Sequence, residues 1–189
     1  KNIFKMYNNK ITTLFITIIP FIFIMLNAYI DNNIVNPLSY LISSTGFIVL
    51  TLLALIIILP TIDFLGKFMD RRLVGLMTFL YASVHLLIYF IDNNISFDYL
   101  IDDILGLPYI QIGYFAFLLF FPLVFTSTIK SKLKLKNTWF KIHKLIYLII
   151  LLSFIHYYLI IKADYLLFLI YLLIFISILI YKQRFKAYE

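Results

Sequence analysis

The sequence predicts an all-α integral membrane protein, a six-transmembrane-helix bundle with both termini cytoplasmic. Three observations predict it. Of the 189 residues, 63% are hydrophobic and 13% charged, where a soluble domain carries about 25% charged residues. The mean hydropathy of +1.01 makes lipid the solvent for most of this surface. Six apolar runs then recur, at about 11–30, 41–60, 73–91, 108–128, 142–161 and 165–181. Each approaches the roughly 20 residues that span a bilayer as a helix. They are too long and too continuous for barrel strands, and an unpaired backbone in lipid must close its hydrogen bonds within a helix. The third observation is the placement of charge. All but Lys162 of the 16 basic residues fall at the N-terminus, at 61–72, at 129–144 or in the C-terminal tail. Asp31, Asp92, Asp98, Asp102, Asp103 and Asp164 fall on the opposite side. The positive-inside rule makes the basic side cytoplasmic. The basic residues therefore read as a topology device and not as a nucleic-acid footprint.

Taken in order, the first run follows Lys1, Lys5 and Lys10. It resembles a signal-peptide start, but its apolar stretch is too long and no small-residue cleavage site follows. A retained helix is expected, kinked at Pro20. The connections at 61–72 and 129–144 are expected to be turns. The acidic connection 92–107 mixes Asp with Ile95, Phe97, Tyr99, Leu100 and Ile101, and part of it is expected to form a short interfacial helix. Gly46 and Gly75 are expected to let helices approach closely, with Gly75 also able to make room for a porphyrin. Thr126-Ser127-Thr128 is placed to end the fourth helix through side-chain to backbone bonds. Trp139, Tyr29, Tyr40, Tyr109, Tyr165 and Tyr181 sit near span ends, as interfacial anchors do. No internal repeat or linker is visible, so 1–189 reads as a single membrane domain.

The chain has no cysteine. This excludes thiol catalysis, Cys-ligated zinc and iron–sulfur clusters. No phosphate-binding loop, dinucleotide fingerprint or catalytic triad is present. The chemistry must come from the three histidines, since ionisable residues inside spans are expensive and tend to be functional. His85 lies roughly 21 Å of helix beyond Arg71, and His156 roughly 20 Å beyond His143. The third and fifth helices run in the same direction, so His85 and His156 share a depth. From two sides they can clamp one haem iron. His143 lies nearer the basic side, level with Arg71. A second, inner haem would use His143, with Arg71 or Arg72 pairing with propionates. An ideal helix turns about 3.6 times between His143 and His156, which puts the two on different faces. The bland alternative is a non-redox transporter or scaffold whose histidines only bond between helices.

The motifs around these histidines resemble a known family. Arg71-Arg72-Leu73-Val74-Gly75-Leu76 with Tyr81-Ala82-Ser83-Val84-His85-Leu86 is similar to the third-helix motif of the MsrQ (YedZ) family. Phe125-Thr126-Ser127-Thr128, Trp139, His143-Lys144-Leu145-Ile146-Tyr147-Leu148 and Ile155-His156-Tyr157 resemble its fourth-to-fifth-helix signature. Thr45-Gly46 and Pro60 fit the second helix, although Phe47 stands where some members carry a basic residue. The resemblance runs from about 41 to 182.

It implies a ferric-reductase-like transmembrane domain in the bacterial inner membrane that binds haem b. Such a subunit passes electrons from the respiratory quinone pool, or from a cytoplasmic flavin reductase, to MsrP. MsrP is a periplasmic molybdopterin enzyme that repairs oxidised proteins by reducing methionine sulfoxide. FMN is implied as a further cofactor. The haem-associated histidines of the family fall on His85, His143 and His156. The related NADPH oxidases have four, so the count stays open between one haem and two. A ferric or other small-acceptor reductase is the neighbouring reading.

Overall fold

The computed structural model describes residues 2–161 and 165–186. Lys1, Lys162 and Asp164 of the charge argument lie outside the described residues. The described chain is helical, with short connections. Helix α1 (Asn2–Ile30) runs through Pro20 without a break in its assignment. Helix α2 (Pro37–Ile58) starts on a proline, and the Asn36 side chain accepts from the Ser39 N–H. Both features suit a helix N-terminus, where proline loses no hydrogen bond. Helix α3 (Asp63–Phe68) corrects the turn expected at 61–72, which forms a short helix. Helix α4 (Arg71–Asp92) is capped by Asp70, whose carboxylate accepts from the Arg72 and Leu73 N–H groups.

The acidic connection contains α5 (Phe97–Gly106), with no buried residue, as its mixed pattern predicts. The fourth apolar run is divided at Leu119 into α6 (Pro108–Leu118) and α7 (Phe120–Phe125). Pro122 sits in the first turn of α7 and lacks the N–H that would bond back to Leu118. The predicted turn at 129–144 is corrected by the structure. It forms two helices, α8 (Ile129–Leu135) and α9 (Asn137–His143), which meet at Lys136 with φ 46°. Thr128 caps the first of them through the Ser131 N–H. Lysine and leucine are good helix formers, so a charged connection need not be irregular. Helices α10 (Leu145–Ile160) and α11 (Tyr165–Lys186) complete the described chain.

Among the described residues, five stretches are long and apolar enough to cross a membrane: Asn9–Ile30, Pro37–Ile58, Arg71–Asp92, Pro108–Phe125 and Asn137–Ile160. Tyr165–Tyr181 is apolar but shorter.

Helix α2 is the hub. It packs against α4 most extensively and also touches α1, α10 and α11. Leu52, Leu53, Ile56 and Ile57 of α2 are buried with Val74 and Tyr81 of α4 and Ile146, Ile149 and Phe154 of α10. Outward faces keep large apolar side chains exposed, such as Phe15, Phe23, Leu166 and Leu173, as lipid contact requires. Polar groups inside the bundle are satisfied locally. The buried Thr13, Thr17, Thr45 and Thr78 each donate to the carbonyl one turn earlier. Two bonds tie α1 to α4. The Tyr81 hydroxyl donates to the Thr17 carbonyl at 2.6 Å, and the Asp70 N–H donates to Thr13 Oγ1 at 2.8 Å. Together these contacts fix α4, and with it His85, against α2.

Candidate functional site

His85 on α4 and His156 on α10 come together as the equal depths predict. Their ring centres are 6.3 Å apart and their planes are inclined at 81°. Each ring is partly buried and is held from a helix other than its own. His85 Nδ1 lies 2.9 Å from the Ile42 carbonyl of α2 and 3.2 Å from Thr45 Oγ1. His156 Nδ1 lies 2.7 Å from the Tyr109 carbonyl of α6. A carbonyl oxygen only accepts, so each Nδ1 carries the proton and each Nε2 carries the lone pair. That tautomer is the one a metal-binding imidazole uses when its other nitrogen bonds to a backbone carbonyl.

The spacing fits the same chemistry. A metal–imidazole bond is about 2 Å, so two axial imidazoles on one metal hold their ring centres roughly 6 Å apart. Edge-to-face aromatic pairs cover similar distances, and the tautomer leaves both Nε2 atoms free to bind a metal. Among the described residues no group of three or more His, Asp or Glu side chains gathers as a multidentate metal site. The donor set therefore suits a cofactor that supplies its own equatorial ligands, as haem does.

His143 does not join this pair. It closes α9, and Lys144, with helical backbone angles (φ −71°, ψ −16°), leads directly into α10. His143 Nδ1 donates to the Trp139 carbonyl of its own helix at 3.0 Å, and its ring stacks on Trp139 at 3.8 Å. Trp139 in turn donates to the Thr126 carbonyl at 2.9 Å, and Lys132 Nζ lies 5.0 Å over its ring. Trp139 thus ties α7 to α9. Arg71 and Lys132 act on His143 electrostatically. The Arg71 Nε donates to the Ile56 carbonyl at 3.0 Å. Arg72 is exposed.

The glycines divide differently from the expectation. A Cβ on Gly46 would sit 3.4 Å from His85 Cε1, so Gly46 does permit a close approach. Nothing lies within 4 Å of where a Cβ on Gly75 would stand, so no close approach depends on it. Gly113, Tyr109, Ile42 and Thr45 have no sequence signal for their contacts, because those contacts depend on which helix lies beside which. On the acidic side, the Tyr89 hydroxyl donates to the Asp103 carboxylate, fastening α5 to α4. The Tyr114 hydroxyl is buried with no hydrogen-bond partner.

With this geometry in place, known proteins can be set beside the chain. The family described as "Ferric reductase like transmembrane component" matches residues 42–154, a stretch that contains His85 and His143 and ends just short of His156. The "Protein-methionine-sulfoxide reductase heme-binding subunit MsrQ" of Caulobacter vibrioides is 39% identical over 114 residues, covering 59% of this chain and 54% of its own. The protein of the same description from Xanthomonas campestris pv. campestris (strain B100) is 42% identical over 95 residues, covering 50% of this chain and 44% of its own. The chain spans about half the length of the curated relatives it matches. No solved structure matches it. The chain belongs to the ferric reductase like transmembrane component family, with similarity to MsrQ haem-binding subunits.

Proposed function

We propose that the chain is the haem b subunit of a methionine sulfoxide reductase system, an electron conduit across the bacterial inner membrane. The observation that carries this reading is the facing pair His85 and His156, each with Nδ1 bonded to a backbone carbonyl and Nε2 left as the donor. Haem b held there would supply a one-electron ferric–ferrous couple. His85 and His156 would hold it, each through Nε2. The Ile42 and Tyr109 carbonyls fix both rings and raise their basicity. With both imidazoles bound, the haem would serve electron transfer and not oxygen binding. The apolar packing of α2, α4, α6 and α10 limits water around the pair and so sets its potential.

The finer reading follows the charge partition and the family resemblance. Six spans place both termini in the cytoplasm, with Tyr165–Tyr181 as the sixth, at the lower end of the roughly 17–25 residues that suffice. The whole chain is then one ferric-reductase-like domain. Electrons enter from membrane quinol or a cytoplasmic flavin reductase and leave on the periplasmic side to an MsrP-like molybdopterin reductase. The exposed acidic α5 beside the histidine pair offers that partner a docking surface. His143, with Arg71 and Arg72, is the candidate contact for a second haem or for FMN.

The test is a pyridine haemochrome measurement per mole of pure protein, with reduced-minus-oxidised spectra. Wild type gives sharp low-spin bands, and H85A and H156A each lose them. A low-spin spectrum retained in either variant overturns the paired-ligand reading. The family match favours one second reading, a ferric or other small-acceptor reductase. Parallel re-oxidation of the reduced protein by a methionine sulfoxide reductase subunit and by a ferric chelate separates the two.

A further inference from the structure

The two histidines of the pair are seated by the same local construction on different helices. His85 donates to the Ile42 carbonyl, and its ring edge lies against Gly46, one turn later on α2. His156 donates to the Tyr109 carbonyl, and its ring edge lies against Gly113, one turn later on α6. In an α-helix the N–H of residue i bonds to the carbonyl of residue i−4. In both cases, then, the carbonyl that accepts from the imidazole is the one that also faces the N–H of the glycine. A carbonyl oxygen has two lone pairs and can serve both donors. The imidazole can reach it only by lying along the helix surface one turn further on, where a Cβ would stand. Glycine at that position removes the obstruction.

The two seats differ in tightness. A Cβ at Gly113 would lie 2.9 Å from both Cε1 and Nδ1 of His156. That is closer than such atoms pack, and the ring cannot retreat without leaving the Tyr109 carbonyl. A Cβ at Gly46 would meet His85 Cε1 at 3.4 Å and Nδ1 at 3.6 Å, near ordinary contact.

We propose that Gly113 and Gly46 are positioning residues. By admitting each ring edge beside the carbonyl one turn earlier, they set the direction in which His156 and His85 present Nε2, with Gly113 the stricter of the two. The inference rests on the haem reading above. It assigns to two backbone positions the control of the angle between the imidazole planes, and through that angle the low-spin spectrum and the reduction potential.

The experiment compares G113A, G46A and Y109F with wild type in the purified, haem-loaded protein. The ferric electron paramagnetic resonance spectrum reads the relative orientation of the axial planes, and a redox titration reads the midpoint potential. G113A is expected to shift both signals or to lose the low-spin species, with helical content by circular dichroism unchanged. G46A is expected to shift them little, and Y109F not at all, since phenylalanine keeps both the carbonyl and the ring beside His156. A G113A protein with wild-type spectrum and potential overturns the proposal. If G113A does not accumulate, G46V carries the test. Its branched side chain must displace His85, and a wild-type signal from G46V overturns the proposal equally. A wild-type protein that binds no haem removes the underlying reading and this inference with it, and that outcome is recognised before any variant is made.

Discussion

His85 and His156 are held by carbonyls on neighbouring helices, whereas His143 is held by a carbonyl of its own helix and by stacking on its own Trp139. The first arrangement exists only when four helices are assembled. The second forms from a stretch shorter than two helical turns. A ring that two helices constrain keeps its orientation as long as the bundle is intact. A ring supported only by its own helix moves with that helix. The pair is thus built for fixed geometry, while the His143 cluster has contacts but no opposing ligand.

The largest effect that could break this contrast comes from the histidines themselves. H156A should abolish the low-spin haem spectrum, and H143A should leave the bands of the pair in place. A spectrum that survives H156A and vanishes in H143A would reverse the assignment. A haem content that falls by half in H143A would instead sharpen it, by giving the lone histidine a haem of its own.

Tyr89→Phe comes next. It removes a hydrogen bond to a carboxylate, worth about 1.5–3 kcal/mol, and frees α5 from α4 on the side of the pair. Limited proteolysis within 97–106 should accelerate, while cleavage near 129–143 stays unchanged. Trp139→Phe acts in the other region. It deletes the bond to the Thr126 carbonyl, a loss of about 1 kcal/mol. Hydrogen exchange should rise across 126–143, and the spectrum of the pair should hold. Equal loosening of both regions would mean that they are not independent. The smallest effect is Thr45→Val, since His85 Nδ1 keeps the Ile42 carbonyl when the Thr45 hydroxyl is gone. The expected loss is below about 1 kcal/mol, read as a thermal-stability shift of the haem-loaded protein.

Much of the fold was legible because the properties that declare it are one-dimensional. Hydropathy over some 20 residues marks a helix that lipid can surround. The rise per residue converts sequence separation into depth, and this placed His85 level with His156 and Arg71 level with His143. Caps at Asn36, Asp70 and Thr128 are local chemistry. The two basic connections form helices where turns are expected, because charge density says where a segment lies, not whether its backbone is coiled.

By itself, then, the sequence determined the solvent, the helices, the depth of each histidine and the absence of any other ligand set. Only the tertiary structure decided rotation and neighbourhood. It put Gly46 and Gly113 behind the histidines, left Gly75 facing open space, and gave the Ile42 and Tyr109 carbonyls to the two rings. Nothing in the order of residues specifies these contacts, because rotation about a helix axis and the choice of lateral partner follow from packing all the helices together. In lipid that packing rests on close fit and interhelical hydrogen bonds more than on apolar pattern.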